Sequence, residues 1–223
     1  MPDTRLFADA KEVTGYLNAG DERTGKPSVV VLHEFWGLTD FIRRTVDRLA
    51  KEGFVAFAPD LYHGRVAKTR EEATELKKHL DKVGGVDLEL HVTADVLRHR
   101  DPNSKLGVLG FCMGGALALM AGAHEPMYDA VVPYYGIPDH DKADLSKIQG
   151  RVQAHFALDD DWCNAERIAD LERRLATGRV GFEIHRYDAK HAFANHDRPE
   201  VYSEANAALA WTRTVKFLHD VLG

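Results

Sequence analysis

Lys105-Leu106-Gly107-Val108-Leu109-Gly110-Phe111-Cys112-Met113-Gly114-Gly115-Ala116-Leu117-Ala118-Leu119 reads as three things in succession. An apolar run of strand type comes first, a cysteine flanked at two positions on either side by glycine comes next, and a run of small and aliphatic residues suited to a helix follows. This is a nucleophile elbow with cysteine in the place of serine. A nucleophile on a strained strand-to-helix turn brings the residues two before and two after it against neighbouring backbone, so Gly110 and Gly114 supply steric clearance. The same turn sets Cys112 at a helix N-terminus, where unsatisfied amides and the helix dipole favour a thiolate. It also aims the Met113 N–H at a developing oxyanion. A Gly-x-Cys-x-Gly string alone is a weak signal and could equally be a buried structural cysteine among packing glycines; the strand before and helix after give it weight.

Outward from the elbow, short β-rich runs alternate with longer helical patterns. Strands are predicted at residues 12–17, 29–32, 55–58, 106–109, 131–134, 152–157 and 182–187, about seven in all. The run Val29-Val30-Val31-Leu32 is continuously apolar, as suits a strand covered on both faces. Ile42, Val46, Leu49 and Ala50 recur at helical spacing before Gly53, placed as a helix C-terminal glycine. Further helices are predicted at residues 71–82, 87–99, 113–123, 165–176 and 205–222, with residues 138–150 as the most loop-like segment. The implied fold class is α/β: a mostly parallel central sheet with helices on both faces, and one domain over residues 1–223.

An elbow calls for the chain order nucleophile, acid, histidine. Leu158-Asp159-Asp160-Asp161 follows the strand at 152–157, and Asp188-Ala189-Lys190-His191-Ala192-Phe193 follows the strand at 182–187. Both lie past the C-terminal ends of strands, where open α/β sheets carry their sites. His191 would take the thiol proton and return one to the leaving group, with an aspartate orienting its ring. Any one of the three aspartates could face it.

Composition excludes several classes. Of 223 residues, 44% are hydrophobic and 29% charged, with a net charge of −6, so no basic track for nucleic acid is expected. No stretch approaches the length of a membrane span, and the charged residues between Met1 and Lys11 do not resemble a signal peptide. The two cysteines, Cys112 and Cys163, are too few for a disulfide framework. A cytoplasmic protein, monomeric or a small homo-oligomer, with no membrane or nucleic-acid partner, is the expectation.

Glycine-flanked Cys112, together with His33-Glu34-Phe35-Trp36-Gly37, Pro59-Asp60-Leu61-Tyr62, Tyr134-Tyr135-Gly136 and His191-Ala192-Phe193, resembles the dienelactone hydrolase (carboxymethylenebutenolidase) family of α/β hydrolases. The resemblance implies an α/β-hydrolase fold without a separate lid domain. It further implies cleavage of ester or lactone bonds in a small-molecule substrate through a thioester acyl-enzyme, using neither metal nor cofactor. It puts the triad acid on Asp160, with Asp159 as the second choice. Glu34 would pair with the resting thiol until an anionic substrate displaces it, and the Phe35 amide would join Met113 as oxyanion donor. Trp36 would wall the pocket, and Tyr134 or Tyr135 would bring a hydroxyl near the acyl site. Arg70 would hold a substrate carboxylate. Asn195 departs from the pattern, standing where relatives that cleave dienelactone carry an arginine, and Arg198 is a candidate to replace it.

Two other readings of the same residues are a broad-specificity carboxylesterase acting on neutral esters and a thiol-based redox protein. The redox reading lacks a Cys-x-x-Cys arrangement, because Cys163 stands far along the chain without an elbow of its own.

Overall fold

The computed structural model describes residues 4–8, 11–20, 25–83, 85–101 and 103–223. Strands β1 (Thr4–Ala8), β2 (Lys11–Asn18), β3 (Ser28–Leu32), β4 (Val55–Pro59), β5 (Leu106–Phe111), β6 (Ala130–Tyr134), β7 (Arg151–Asp159) and β8 (Phe182–Lys190) join in one sheet of order β1-β2-β4-β3-β5-β6-β7-β8. β1 pairs antiparallel with β2 and β2 with β4, and every other pairing is parallel. Helices α1 (Asp40–Lys51), α2 (Arg70–Val83), α3 (Gly85–Arg100), α4 (Met113–His124), α5 (Ala165–Ala176) and α6 (Glu204–Leu222) cover its two faces. This is the α/β-hydrolase architecture, with no lid inserted among the described residues. Nor is any helix among them long and apolar enough to cross a membrane.

The period-2 geometry of the strands sorts the core into two layers. Val30 and Leu32 of β3 pack with α2, α3, α4 and α5 on one face, through Leu76, Leu90, Leu117 and Leu171. Val29 and Val31 point the other way, toward Ile42, Val46 and Leu49 of α1 and Leu218 of α6. Every residue of β3 is buried, which accounts for its unbroken apolar sequence. Truncating a core residue such as Leu109 to alanine would cost about 2–5 kcal/mol. Gly53, at φ 96, stands one residue past the Glu52 cap of α1, the left-handed position that glycine occupies without a Cβ penalty.

The strand β1 was not among the seven predicted. Its apolar residues lie among Asp3, Arg5, Asp9 and Lys11 in a segment too short to show a period. The 138–150 connection is irregular as expected, apart from a 3₁₀ turn at Leu145–Lys147, where Asp144 accepts a hydrogen bond from the Ser146 amide.

Sheet order places the site. β3 lies between β4 and β5, so the chain leaves it in opposite directions and a crevice opens at the C-terminal ends of the strands. The segments after β3, β5, β7 and β8 meet there. Between β7 and β8 the register slips: Ala157 pairs with Tyr187 but Asp159 with Lys190, one extra residue on β8. A bulge of this kind re-aims the side chains beyond it. Here those are Asp160 and His191.

Candidate active site

Cys112 adopts φ 54 and ψ −115, a conformation outside the ordinary regions for a residue with a side chain. Its surroundings hold it there. Its amide donates to Tyr134 O at 2.9 Å, and its carbonyl accepts from Gly115 N and Ala116 N. A Cβ on Gly110 would overlap the Gly114 carbonyl, and one on Gly114 would overlap Leu32 O, so both positions exclude any side chain. The thiol is partly exposed at the head of α4.

His191 reaches that thiol. Its Nε2 lies 3.2 Å from Cys112 Sγ, and its Nδ1 lies 2.6 Å from Asp160 Oδ2. Of the three adjacent aspartates only Asp160 is buried; Asp159 and Asp161 are exposed. The other oxygen of Asp160 accepts from the amides of Trp162 at 2.8 Å and Cys163 at 3.0 Å, fixing the carboxylate on its own turn. Burial raises the Asp160 carboxyl, but bonding to His191 and to these amides outweighs it and holds the group below its ordinary value. Burial likewise pulls the His191 imidazole down, yet the hydrogen bonds with Asp160 and Cys112 carry it up to about 9. These contacts favour the protonated ring.

The loop after β3 is tied down around Phe35. His33 Nδ1 donates to Glu34 O at 2.7 Å, Gly37 N donates to the same carbonyl, and Tyr62 Oη donates to Phe35 O at 3.2 Å. Tyr62 is positioned in turn by Asp60, whose Oδ1 accepts its amide, which gives the Pro59-Asp60-Leu61-Tyr62 string a physical reason. Among the described residues the Phe35 amide has no acceptor, and the Met113 amide opens α4, where no intrahelical acceptor exists. Met113 follows Cys112 in the chain, and Phe35 lines the same cleft as Cys112, which makes both amides candidate donors to an oxyanion.

Glu34 differs from expectation. Instead of the thiol, its Oε2 accepts a 2.6 Å hydrogen bond from Asn195 Nδ2, while the thiol faces His191. Both Glu34 and Asn195 are buried. Asn195 Oδ1 accepts the Asp197 amide at 3.0 Å, so the side-chain amide is fixed from both ends. Burial drives the Glu34 carboxyl up to about 7, against the lowering effects of Asn195, Arg198 and His191.

Two branches of one cleft meet at Cys112, Phe35, Arg70 and Trp162. The first, of about 440 Å³, contains His191, Trp36 and Arg198; the second, of about 610 Å³, runs between α2 and α4. Trp36 lines the first branch. Arg70 opens α2, is exposed at the junction, and sets its guanidinium 5.4 Å from the ring centroid of Trp162. Arg198 lines the histidine branch but gives its Nε to Glu200 at 2.9 Å.

The tyrosines correct the expectation of a substrate-facing hydroxyl. Tyr134 is buried on the α6 side of the sheet, its hydroxyl 2.7 Å from Thr214 Oγ1 and its ring stacked on His155 at 4.4 Å. Strand alternation turns it away from the cleft. Tyr135, at φ 38, is buried beneath His191, 5.1 Å between ring centroids, with Glu34 as its charged neighbour. Neither lines the cleft.

Three participants escaped the sequence reading. Trp162 stands edge-on to His191 at 4.9 Å, and its only signal was an aromatic just beyond the acidic triplet. The bond from Asn195 to Glu34 spans 161 residues and has no local signal. The buried set His155, Tyr187, Gln153 and Thr214 ties β7, β8 and α6 together beneath the site. Cys163 is buried, and burial pushes its thiol well above the ordinary range, which suits an inert packing role.

A family model described as the dienelactone hydrolase family matches residues 13–222. The chain is 35% identical to the protein usf of Aquifex pyrophilus over 221 residues, covering 95% of this chain and 94% of that one. It is 31% identical to a carboxymethylenebutenolidase of Rhodococcus opacus, covering 93% of this chain and 86% of that one. Among solved structures, a dienelactone hydrolase-like promiscuous phosphotriesterase from metagenomic libraries superposes with a TM-score of 0.84 at 23% identity, covering 100% of this chain and 98% of that one. That last likeness is one of fold.

Proposed function

The chain belongs to the dienelactone hydrolase family and is a hydrolase of carboxylic esters or lactones, and from that premise we propose that Cys112, His191 and Asp160 are its catalytic triad. The observation that carries the reading is the unbroken chain of contacts from Cys112 Sγ through both nitrogens of His191 to Asp160 Oδ2.

Cys112 Sγ attacks the carbonyl carbon as a thiolate, forming a C–S bond while the carbonyl electrons move onto oxygen. The Phe35 and Met113 amides receive that oxyanion. Collapse breaks the C–O bond to the leaving group, and the proton on His191 Nε2 goes to the departing oxygen. A thioester remains on Cys112. Water then attacks it, giving its proton to His191, and the carboxylic acid leaves as the thiolate is restored. Asp160 holds the imidazole in the tautomer and orientation for both transfers and balances its charge.

In this arrangement Asn195 keeps Glu34 off the thiol, so the pairing of Cys112 with His191 is in place before substrate arrives. Arg70, at the junction of the two branches, supplies a guanidinium for a substrate carboxylate. The test is Cys112→Ala with p-nitrophenyl acetate: kcat should fall by about 10³-fold or more. In the wild-type chain an acetyl adduct on Cys112 should be seen by mass spectrometry during turnover. Wild-type-like turnover by the variant overturns the assignment.

A further inference from the structure

The two branches of the cleft differ in one respect that bears on the reaction: His191 lies in only one of them. The 440 Å³ branch holds the histidine, Trp36 and Arg198. The 610 Å³ branch shares Cys112, Phe35 and Met113 with the reaction centre but lacks the histidine. During acylation the imidazole must deliver its proton to the leaving oxygen, so the leaving group has to project into the branch that contains His191. The acyl substituent, on the other side of the tetrahedral carbon, projects into the other.

That other branch has an apolar floor. Met113, Ala116, Leu117 and Met120 follow one another at i, i+3, i+4 and i+7 on α4, and Leu80 of α2 and Ile137 from the loop after β6 extend that apolar surface. Met113, Ala116 and Met120 are partly exposed to the groove instead of being sealed in the core. From Met113 to Met120 the helix rises about 10 Å, room for an extended chain of about eight carbons. Lys77 and Asp87 lie among the charged residues along the same branch, so the groove combines an apolar floor with polar margins.

Resting on the triad reading above, we propose that the α2–α4 branch is the acyl-binding groove and that the enzyme takes esters with an extended apolar acyl chain of medium length. Small lactones would fill only the space around Cys112. Each methylene laid on the α4 floor leaves water for apolar surface, so kcat/KM should climb up to about fourfold per methylene until the groove is full. Thioether side chains at Met113 and Met120 adapt their shape to chains of different bend, which favours a preference for length over branching pattern.

The experiment uses two ester series on the purified protein. In one, the leaving group is p-nitrophenol and the acyl chain runs from acetate to dodecanoate; in the other, the acyl group is acetate and the alcohol chain lengthens. The expected result is a rise in kcat/KM toward octanoate in the acyl series and no comparable rise in the alcohol series. Met120→Trp, which fills the far end of the groove, should lower the octanoate-to-acetate ratio of kcat/KM at least tenfold, and Met120→Leu should keep the wild-type ratio within about threefold. A flat acyl series, a rise confined to the alcohol series, or a ratio unmoved by Met120→Trp overturns the groove assignment. Cys112→Ala separates this from the triad reading. If that variant loses turnover while the acyl series is flat, the groove alone is wrong; if it retains turnover, the triad is wrong.

Discussion

Asn195 Nδ2 lies 2.6 Å from Glu34 Oε2 in a buried contact that joins the loop after β8 to the loop after β3. The bond couples the segment carrying His191 to the segment carrying the Phe35 amide. Two parts of one site, 161 residues apart in the chain, thus share a single hydrogen bond. Its acceptor is a buried acid with Tyr135 and Arg198 as electrostatic neighbours, and its donor is itself held by the Asp197 amide.

Replacing Asn195 by alanine leaves Glu34 buried without its donor, and a buried polar group deprived of its partner costs about 1–3 kcal/mol. Urea denaturation of Asn195→Ala should show a lower midpoint with an unchanged slope, the shift multiplied by that slope equalling the lost stability. Asn195→Asp should be worse at neutral pH and partly restored by acid, because two carboxyls at hydrogen-bond distance can share one proton but cannot both ionise without repulsion.

Glu34 also sets a pH dependence of stability. Burial lifts its folded-state value to about 7 from an ordinary 4.5. Folding therefore prefers the protonated acid: the contribution is complete below about 4.5 and is lost as pH rises through about 7. At about 1.4 kcal/mol per unit, its size is at most about 3.5 kcal/mol. Glu34→Gln, which keeps an oxygen to accept from Asn195, should flatten the stability profile between pH 5 and pH 8 (roughly the titration range of the buried acid). Thermal unfolding across that range checks it; an equally sloped profile in the variant assigns the slope to another group.

How much of this was legible in the sequence follows from the range of the forces involved. The elbow is a short-range steric problem, so Gly110, Cys112 and Gly114 announce it within five residues. The order of acid and histidine follows from a parallel sheet that delivers its strand ends to one edge, and Asp160 and His191 lie where that order puts them. The choice among three aspartates rested on resemblance, and geometry supplies a reason: only Asp160 turns inward to accept the Trp162 and Cys163 amides. The bond from Asn195 to Glu34, the Trp162 edge against His191, and the turning of Tyr134 toward Thr214 depend on contacts between distant segments. No local pattern encodes them.

Asp160→Asn should separate orientation from simple presence of the histidine. Among the influences on His191, burial lowers its pKa, and the bonds with Asp160 and Cys112 raise it to about 9. A raised histidine value means that the protonated ring persists until the pH passes that point, so kcat/KM should decline on an alkaline limb near pH 9. Asparagine removes the charge and can favour the wrong tautomer, so the limb should move to lower pH and kcat should fall about 10²–10⁴-fold. Pre-steady-state acylation with p-nitrophenyl acetate across pH 5 to 10 (roughly bracketing the ordinary and raised histidine values) reads both effects. An unchanged limb with a reduced rate would mean that Asp160 acts on structure alone.

Arg70 provides the test of anion recognition. It stands at the head of α2, exposed, with its guanidinium near the Trp162 ring and its side chain on both branches of the cleft. A bidentate bond to a substrate carboxylate would be charge-assisted but shared with solvent, so its removal should cost less than a buried pair, about tenfold in kcat/KM. The effect should fall on one substrate class. In a matched pair of p-nitrophenyl esters, a hemisuccinate and a butyrate, Arg70→Ala should lose about tenfold on the first and less than twofold on the second. Raising the salt concentration should shrink the wild-type preference in the same direction, because an exposed pair is screened. Equal losses on both esters would instead assign Arg70 to the packing of Trp162 against His191, where its removal would disturb acylation regardless of substrate charge.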